Sequence, residues 1–447
     1  MRKKIRAAHA AAWLLGGATL VISGRASADN PACNTFTNPV YVSGSSAIKP
    51  VLQAVQNVLG SAVSIVYQNP GSCEGLSYVI KGTTDADSPN VFVPNTTTLA
   101  PCNPPTTGVV VDIAFSDVYP ATCTAYYDST LPAPSATQKD FLGPIQAMTF
   151  AVPKDSSENI ISAEAAYTVF GKGAADGPTA ATTIAPWTDP SKIYVRYYDS
   201  GTLEMMAKAI NLPGSKWAQA TVNTNNMGGP TTFTGTGPMQ NALIAAEGTM
   251  ATQSTAIGIL STSGLKTGIK GLAFQGYGQL CSYYPDSSGS AGDKINVRQG
   301  RYEIWGPEHM VANVDGSGKP VGQNSNTAAV QTVINALIST SQALPASSDA
   351  GVPEGGVTTL GEAEVKSIIA AISGPTTGFI PQCAMQVSRT QEIGAEASYA
   401  PPVACSCAFE AAAGMSPGHT CTACNSNADC NGTPATPVCH FNFCEAE

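Results

Sequence analysis

Two stretches place small hydroxyl side chains where a strand gives way to a helix: Gly44-Ser45-Ser46-Ala47 and Asp199-Ser200-Gly201-Thr202. The first turn of a helix leaves backbone N–H groups without intrahelical partners and carries the positive end of the helix dipole. Serine and threonine hydroxyls add further donors. Two such termini facing one another make an anion site that needs no net positive charge; taken singly, each serine is an N-cap and nothing more. Other patterns point to nucleophiles. In Ser46-Ala47-Ile48-Lys49 the lysine would activate Ser46. Gly71-Ser72-Cys73-Glu74-Gly75 has the spacing of a nucleophile elbow with cysteine at its centre, although an exported Cys73 is better read as disulfide-bonded.

These residues need elements to hold them. Val40-Tyr41-Val42 is a short strand, Ile48–Leu59 has apolar residues at helical spacing, and Val63–Tyr67 is again strand-like. Val109–Phe115 and Gln146–Pro153 are continuous apolar runs of the kind buried in parallel sheets. Ile193–Tyr198 runs as a strand into Ser200-Gly201-Thr202 and a helix from Leu203 to about Ile210. Ala256–Leu260 and Tyr302–Val311 read as further strands, and Thr327–Ser341 as an amphipathic helix. Strands alternating with helices predict an α/β fold with parallel sheet. Residues 76–108 read as a polar, Pro- and Thr-rich insertion stapled by Cys73 and Cys102, and 342–358 and 398–404 as linkers.

Composition bounds the function. The chain has 447 residues, enough for two or three domains, a formal charge of −9, and only 12% charged residues against 43% hydrophobic. So few Lys and Arg in an acidic chain exclude a nucleic-acid binder. Four histidines (His9, His309, His419, His440) are too few and scattered for a histidine-built metal centre. Residues 1–28 read as a signal peptide: Arg2, Lys3, Lys4 and Arg6 precede an apolar run from about Ala10 to Ile22, and Ala26-Ser27-Ala28 is a cleavage site. Its removal takes away five basic residues and no acids, leaving −14. No later apolar stretch is long enough to span a bilayer. All thirteen cysteines follow this leader, and in an exported chain disulfides are the default. Seven crowd the tail from Cys405 onward, which reads as a disulfide-stapled module; Cys421, Cys424, Cys430 and Cys439 can also be drawn as a zinc site. The odd total leaves at least one thiol without an intrachain partner.

Ser43-Gly44-Ser45-Ser46-Ala47-Ile48, Gly71-Ser72, Asp112-Ile113-Ala114-Phe115-Ser116-Asp117, and Arg196 four residues before Ser200-Gly201-Thr202 occur in that order. Together with Ala256–Leu260 they resemble the periplasmic phosphate-binding proteins that feed ABC transporters, over about residues 38–400. The resemblance implies a type 2 periplasmic-binding-protein fold: two α/β lobes with the anion in the cleft between them. It assigns phosphate binding to Ser46, Ala47, Ser72, Asp117, Arg196, Ser200, Gly201 and Thr202. The chemistry of these residue types agrees. A planar arginine fork suits two phosphate oxygens, and a carboxylate accepts the proton that phosphate carries and sulfate lacks. Tyr198 stands where the family has an aspartate after the arginine, Asp199 replaces the glycine before the serine, and Cys73-Glu74-Gly75 replaces small residues.

The domain expectation is therefore a leader at 1–28, a first lobe from 29–148 and 305–400, a second lobe from 149–304, and a disulfide-rich tail at 401–447. The functional expectation is an exported, monomeric, non-enzymatic solute-binding protein for phosphate or a similar oxyanion, handing it to an ABC permease, with no cofactor and no metal. Two readings compete. One is a surface-displayed protein with a degenerate binding fold and a Cys-rich interaction tail. The other is a penicillin-recognising serine acyltransferase built on Ser46 and Lys49, since Ser157-Glu158-Asn159 and Lys266-Thr267-Gly268 follow in the order that family uses.

Overall fold

The computed structural model describes residues 30–126, 129–176, 184–217, 232–246, 255–342, 361–374, 377–415, 421–430 and 437–446. The leader, and all but the first residue of the expected linker at 342–358, lie outside them. Strand β1 (Pro39–Gly44) is buried from Val40 onward. It pairs in parallel with β2 (Ser64–Gln68), reached through helix α1 (Lys49–Leu59), whose Val51, Leu52, Val55 and Leu59 face the core at helical spacing. Helix α2 (Ser72–Lys81) follows and ends at Gly82 in the left-handed conformation. Strands β3 (Thr84–Asp85), β4 (Asn90–Phe92), β5 (Leu99–Pro101), β6 (Val109–Val110) and β7 (Ile113–Ser116) come next, then helix α3 (Pro120–Tyr126). Strand β7 returns to lie parallel on the other side of β1.

The second stretch of chain starts with β8 (Gln138–Pro153), sixteen residues long. It continues through β9 (Ile160–Ser162), α4 (Ala163–Asp176), β10 (Val195–Arg196), α5 (Gly201–Ala209), β11 (Thr232–Phe233), α6 (Thr236–Ala245), β12 (Gly258–Ser261), β13 (Ile269–Gly271) and β14 (Ala273–Gln275). Strand β15 (Trp305–Asn313) then re-enters the main sheet between β7 and β8. The sheet order is β12-β8-β15-β7-β1-β2-β4-β5, with β13 also on β8. The fold is mixed α/β, with one contiguous apolar core serving both stretches. Among the described residues no helix is long and apolar enough to cross a membrane.

Four expectations need correction. The sheet is not parallel throughout: only β1–β2 and β1–β7 are, whereas β8 and β15 run antiparallel to their neighbours. A continuous apolar run reports burial on both faces and says nothing of direction. Secondly, 76–108 is not simply an insertion. Its start completes α2, and β4 and β5 extend the sheet beyond β2. Its staple is Cys33–Cys102, while Cys73 pairs with Cys123 because α2 packs on α3. Thirdly, Val109–Phe115 breaks at Asp112, a buried carboxylate that accepts from the amides of Tyr41 (2.9 Å) and Gln323 (2.7 Å) and from the side chains of Asn324 and Asn326. Fourthly, the zinc drawing of the tail fails: Cys407–Cys421, Cys424–Cys439 and Cys430–Cys444 are disulfides. The tail is also fastened to the body, through Cys383–Cys405 and through Arg298, which pairs with Glu410 at 3.0 Å and lies over Phe409. Cys281 is the free, exposed thiol.

Candidate functional site

The site is built where β1, β7 and β10 end. Gly44 sits at φ +133°, and a β-carbon there would stand 2.0 Å from the Phe115 carbonyl. Only glycine permits this approach. It lets the Ser45 amide bond that carbonyl at 2.9 Å, which turns the chain toward Asp117 at the end of β7. The Ser45 hydroxyl donates to Asp117 Oδ1 in a short bond and accepts from the Ala47 amide at 3.0 Å. The Tyr67 phenol, kept protonated by burial, donates to the Ser45 carbonyl at 2.6 Å. Across from this loop, Gly201 opens α5 so close to the first half of the chain that a β-carbon would lie 2.5 Å from Ser72 Oγ and 2.8 Å from Asp117 Cβ. Ser72 Oγ accepts from the Asp117 amide at 3.3 Å. Ser200 caps α5; its hydroxyl is buried without a hydrogen-bond partner, and Thr202 is buried beside it.

Arg196 is 3% exposed. Its Nε donates to Phe233 O at 3.3 Å and its Nη2 to Thr234 O at 3.2 Å; Nη1 reaches Thr236 Oγ1 and Nη2 reaches Ser46 Oγ, both at 3.5 Å. These contacts are at or beyond the long end of ordinary N–H···O bonds, so the fork is loosely satisfied. Burial opposes its charge, and Asp117 and Asp199 are the strongest influences supporting it. Arg196 thus touches both Ser46 and the β11–α6 turn.

Carboxyls crowd this cation in pairs. Glu308, fully buried on β15, lies against Asp117, and no donor from the protein reaches either of its oxygens. Two carboxyls hold one another only when one keeps its proton. Burial and then Asp117 push Glu308 far above the usual carboxylate range, so Glu308 is the neutral partner. A second pair joins Asp199 and Glu74. Burial first, and Glu74 next, raise Asp199 from 3.8 to about 7. An acid raised in the folded state favours folding fully below its unfolded pKa and loses that contribution as pH rises through the folded value. For Asp199 this window runs from about pH 4 to about pH 7 and amounts to about 4 kcal/mol. Asp199→Asn, which copies the protonated acid, is expected to be more stable than the native chain at pH 8 and to lose that advantage at pH 4. Denaturant midpoints at pH 4, 6 and 8 check this; a difference that does not change with pH would refute it.

Beside Arg196 opens a cavity of about 540 Å³, lined by Ser46, Lys49 and Asn69 from the first stretch and by Thr236, Ser263 and Lys266 from the second, among others. The expected site residues therefore divide. Ser46 and Ala47 line the open cavity; Ser72, Asp117, Arg196, Ser200, Gly201 and Thr202 gather behind its wall. The Ala47 amide, expected to face an anion, is taken by Ser45. Sequence reasoning missed Ser45 as the partner of Asp117, and missed Tyr67, Glu308 and the cavity face of α6. An acid inside an otherwise apolar strand was the available signal for Glu308. The acyltransferase arrangement is only partly assembled. Ser46, Lys49 and Lys266 share the cavity, but Ser46 contacts Arg196, Lys49 is exposed with no side-chain hydrogen bond among the described residues, and Asn159 is engaged with Lys270 at 2.9 Å outside it.

No protein-family profile and no curated protein matches this sequence. Among solved structures, a human phosphate-binding apolipoprotein matches with 13% identity over 77% of this chain and 91% of its own, at a TM-score of 0.41. A phosphate-binding protein from Stenotrophomonas maltophilia matches with 14% identity over 77% and 90%, at 0.40. An ABC-type phosphate transport receptor from Vibrio cholerae matches with 14% identity over 62% and 88%, at 0.36.

Proposed function

We propose that this is an exported solute-binding protein that captures an oxyanion, inorganic phosphate in the first instance, in the cleft between a lobe of residues 29–148 and 305–400 and a lobe of residues 149–304. The observation that carries the reading is Arg196: a buried, loosely satisfied guanidinium bridging Ser46 and the β11–α6 turn, next to the α5 terminus and the partnerless Ser200 hydroxyl. The ligand's oxygens replace the long contacts of Arg196 and supply Ser200 with a partner. Asp117, beside Glu308, accepts a hydrogen bond from a proton-bearing phosphate oxygen. Sulfate offers no proton there and sets acceptor against acceptor. Six disulfides fit an oxidising compartment. A permease would take the anion when the lobes part, and the protein itself performs no chemistry.

The test is calorimetric titration of protein stripped of bound anion, at pH 7, with phosphate and then with sulfate. Phosphate is expected to bind, and sulfate in hundredfold excess is expected to leave the phosphate isotherm unchanged. Displacement by sulfate would remove Asp117 from its proposed role; absence of phosphate binding would overturn the reading.

A further inference from the structure

The cavity beside Arg196 is larger than its proposed ion requires. About 540 Å³ lies within the range of pockets that enclose whole organic molecules. Its lining includes Lys49 from the first stretch of chain and Lys266 from the second and, among the described residues, no aspartate or glutamate, in a protein whose formal charge is −9. Helix α6, ten residues long, begins at this wall; its N-cap Gly235 has no side chain to occupy the first-turn N–H groups. The remaining lining is rich in hydroxyls and amides, among them Asn69, Thr236 and Ser263, and among the described residues contains no aromatic ring. Such a wall suits a polyhydroxylated ligand and offers a nucleobase no stacking surface. Ser46 belongs to both places: it lines the cavity, and its hydroxyl is the 3.5 Å partner of Arg196.

We infer that the cavity takes the organic part of a phosphorylated polyol, a sugar phosphate with a second anionic group, whose first phosphoryl group docks at Ser46 and whose second lies between Lys49 and Lys266. The inference rests on the phosphoryl-binding reading above and names the ligand class more closely. One phosphoryl oxygen displaces the long Ser46–Arg196 contact. The hydroxyls of the carbon chain exchange hydrogen bonds with the polar wall. The second anion neutralises two lysines that no carboxylate of the lining faces. Because the lysines come from opposite sides, such a ligand ties the two sides together.

The experiment is calorimetric titration of stripped protein at pH 7 with inorganic phosphate, fructose 6-phosphate and fructose 1,6-bisphosphate. The bisphosphate is expected to bind at least tenfold tighter than inorganic phosphate, with the monophosphate between them. A filling variant tests the place. Gly237 of α6 lines the cavity and a β-carbon there would have nothing within 4 Å, so Gly237→Phe is chosen to add bulk at this wall. It is expected to reduce bisphosphate affinity at least tenfold with an unchanged melting temperature. The pair Lys49→Ala and Lys266→Ala is expected to bring the bisphosphate down to the level of the monophosphate. Inorganic phosphate binding as tightly as both sugar phosphates, or a Gly237→Phe protein that melts normally and keeps the preference, overturns this inference and leaves the phosphate reading in place. Sugar phosphates binding where inorganic phosphate does not supports it and removes inorganic phosphate as the ligand. Binding of none of the three overturns both.

Discussion

Arg196→Ala is expected to weaken phosphate binding by at least a hundredfold. The guanidinium is a charged donor of the site, it is 3% exposed, and its outer nitrogens contact both Ser46 and the β11–α6 turn. Truncating one partner of a buried, hydrogen-bonded charge pair costs about 2–5 kcal/mol, and about 2.8 kcal/mol is a hundredfold. A second effect adds to this. Asp117 and Asp199 lie in the field of Arg196, which supports its charge against burial. With the arginine gone, an incoming anion meets the Asp117 carboxylate without the buried cation that offset it. Arg196→Lys separates the two contributions. A lysine keeps the charge and loses the planar fork, so it is expected to recover part of the affinity and to lose the bidentate share. Titration of the three proteins at pH 7, with melting curves to confirm folding, gives the comparison. An Arg196→Ala protein that binds phosphate within threefold of the native affinity would show that the anion sits elsewhere.

What was readable in the sequence, and what was not, follows from the range of the interactions involved. The junctions at Ser45–Ala47 and Ser200–Thr202 were visible because strand, cap and helix are local patterns, and they stand where expected. Arg196, which only the resemblance singled out, is buried at the end of β10. The division of labour between Ser45 and Ser46 was invisible, because it depends on a contact 72 positions away in sequence. The cysteine pairings were hidden for the same reason. Spacing drew Cys73 toward Cys102, whereas the packing of α2 on α3 gave it Cys123. Strand direction also escaped, since β8 and β15 show the same apolar runs in an antiparallel setting that a parallel strand would show. Glu308 is the instructive case. Its residue type breaks an apolar strand, so its presence was readable; its neutral partnership with Asp117 required the register of β15 on β7.

Gly75→Ala is expected to cost about 3 kcal/mol or more of folding stability. Glycine in a helix is about 1 kcal/mol worse than alanine, so propensity alone predicts a gain at this position in α2. Packing reverses the sign. A β-carbon on Gly75 would lie 2.4 Å from Gly44 Cα and 2.8 Å from both Gly44 N and Ser43 O. All three are backbone atoms of β1, so no side chain can rotate aside. The helix cannot readily retreat either, because Cys73, two residues earlier, is tied to Cys123 of α3. Nor can the strand, since Gly44 is itself pressed against Phe115. The strain must therefore move α2 relative to β1. That displaces Ser72 from the Asp117 amide and from the Gly201 turn, so phosphate affinity is expected to fall along with stability. Gly237→Ala is the matched control: it too lies in a helix, its β-carbon meets nothing within 4 Å, and it is expected to leave stability unchanged or raised by up to about 1 kcal/mol. Urea unfolding of both variants reads the difference as a shift in midpoint at constant slope. A Gly75→Ala protein as stable as the native chain would mean that α2 and β1 are not held at this distance, and the contact between Ser72 and Asp117 would lose its structural basis.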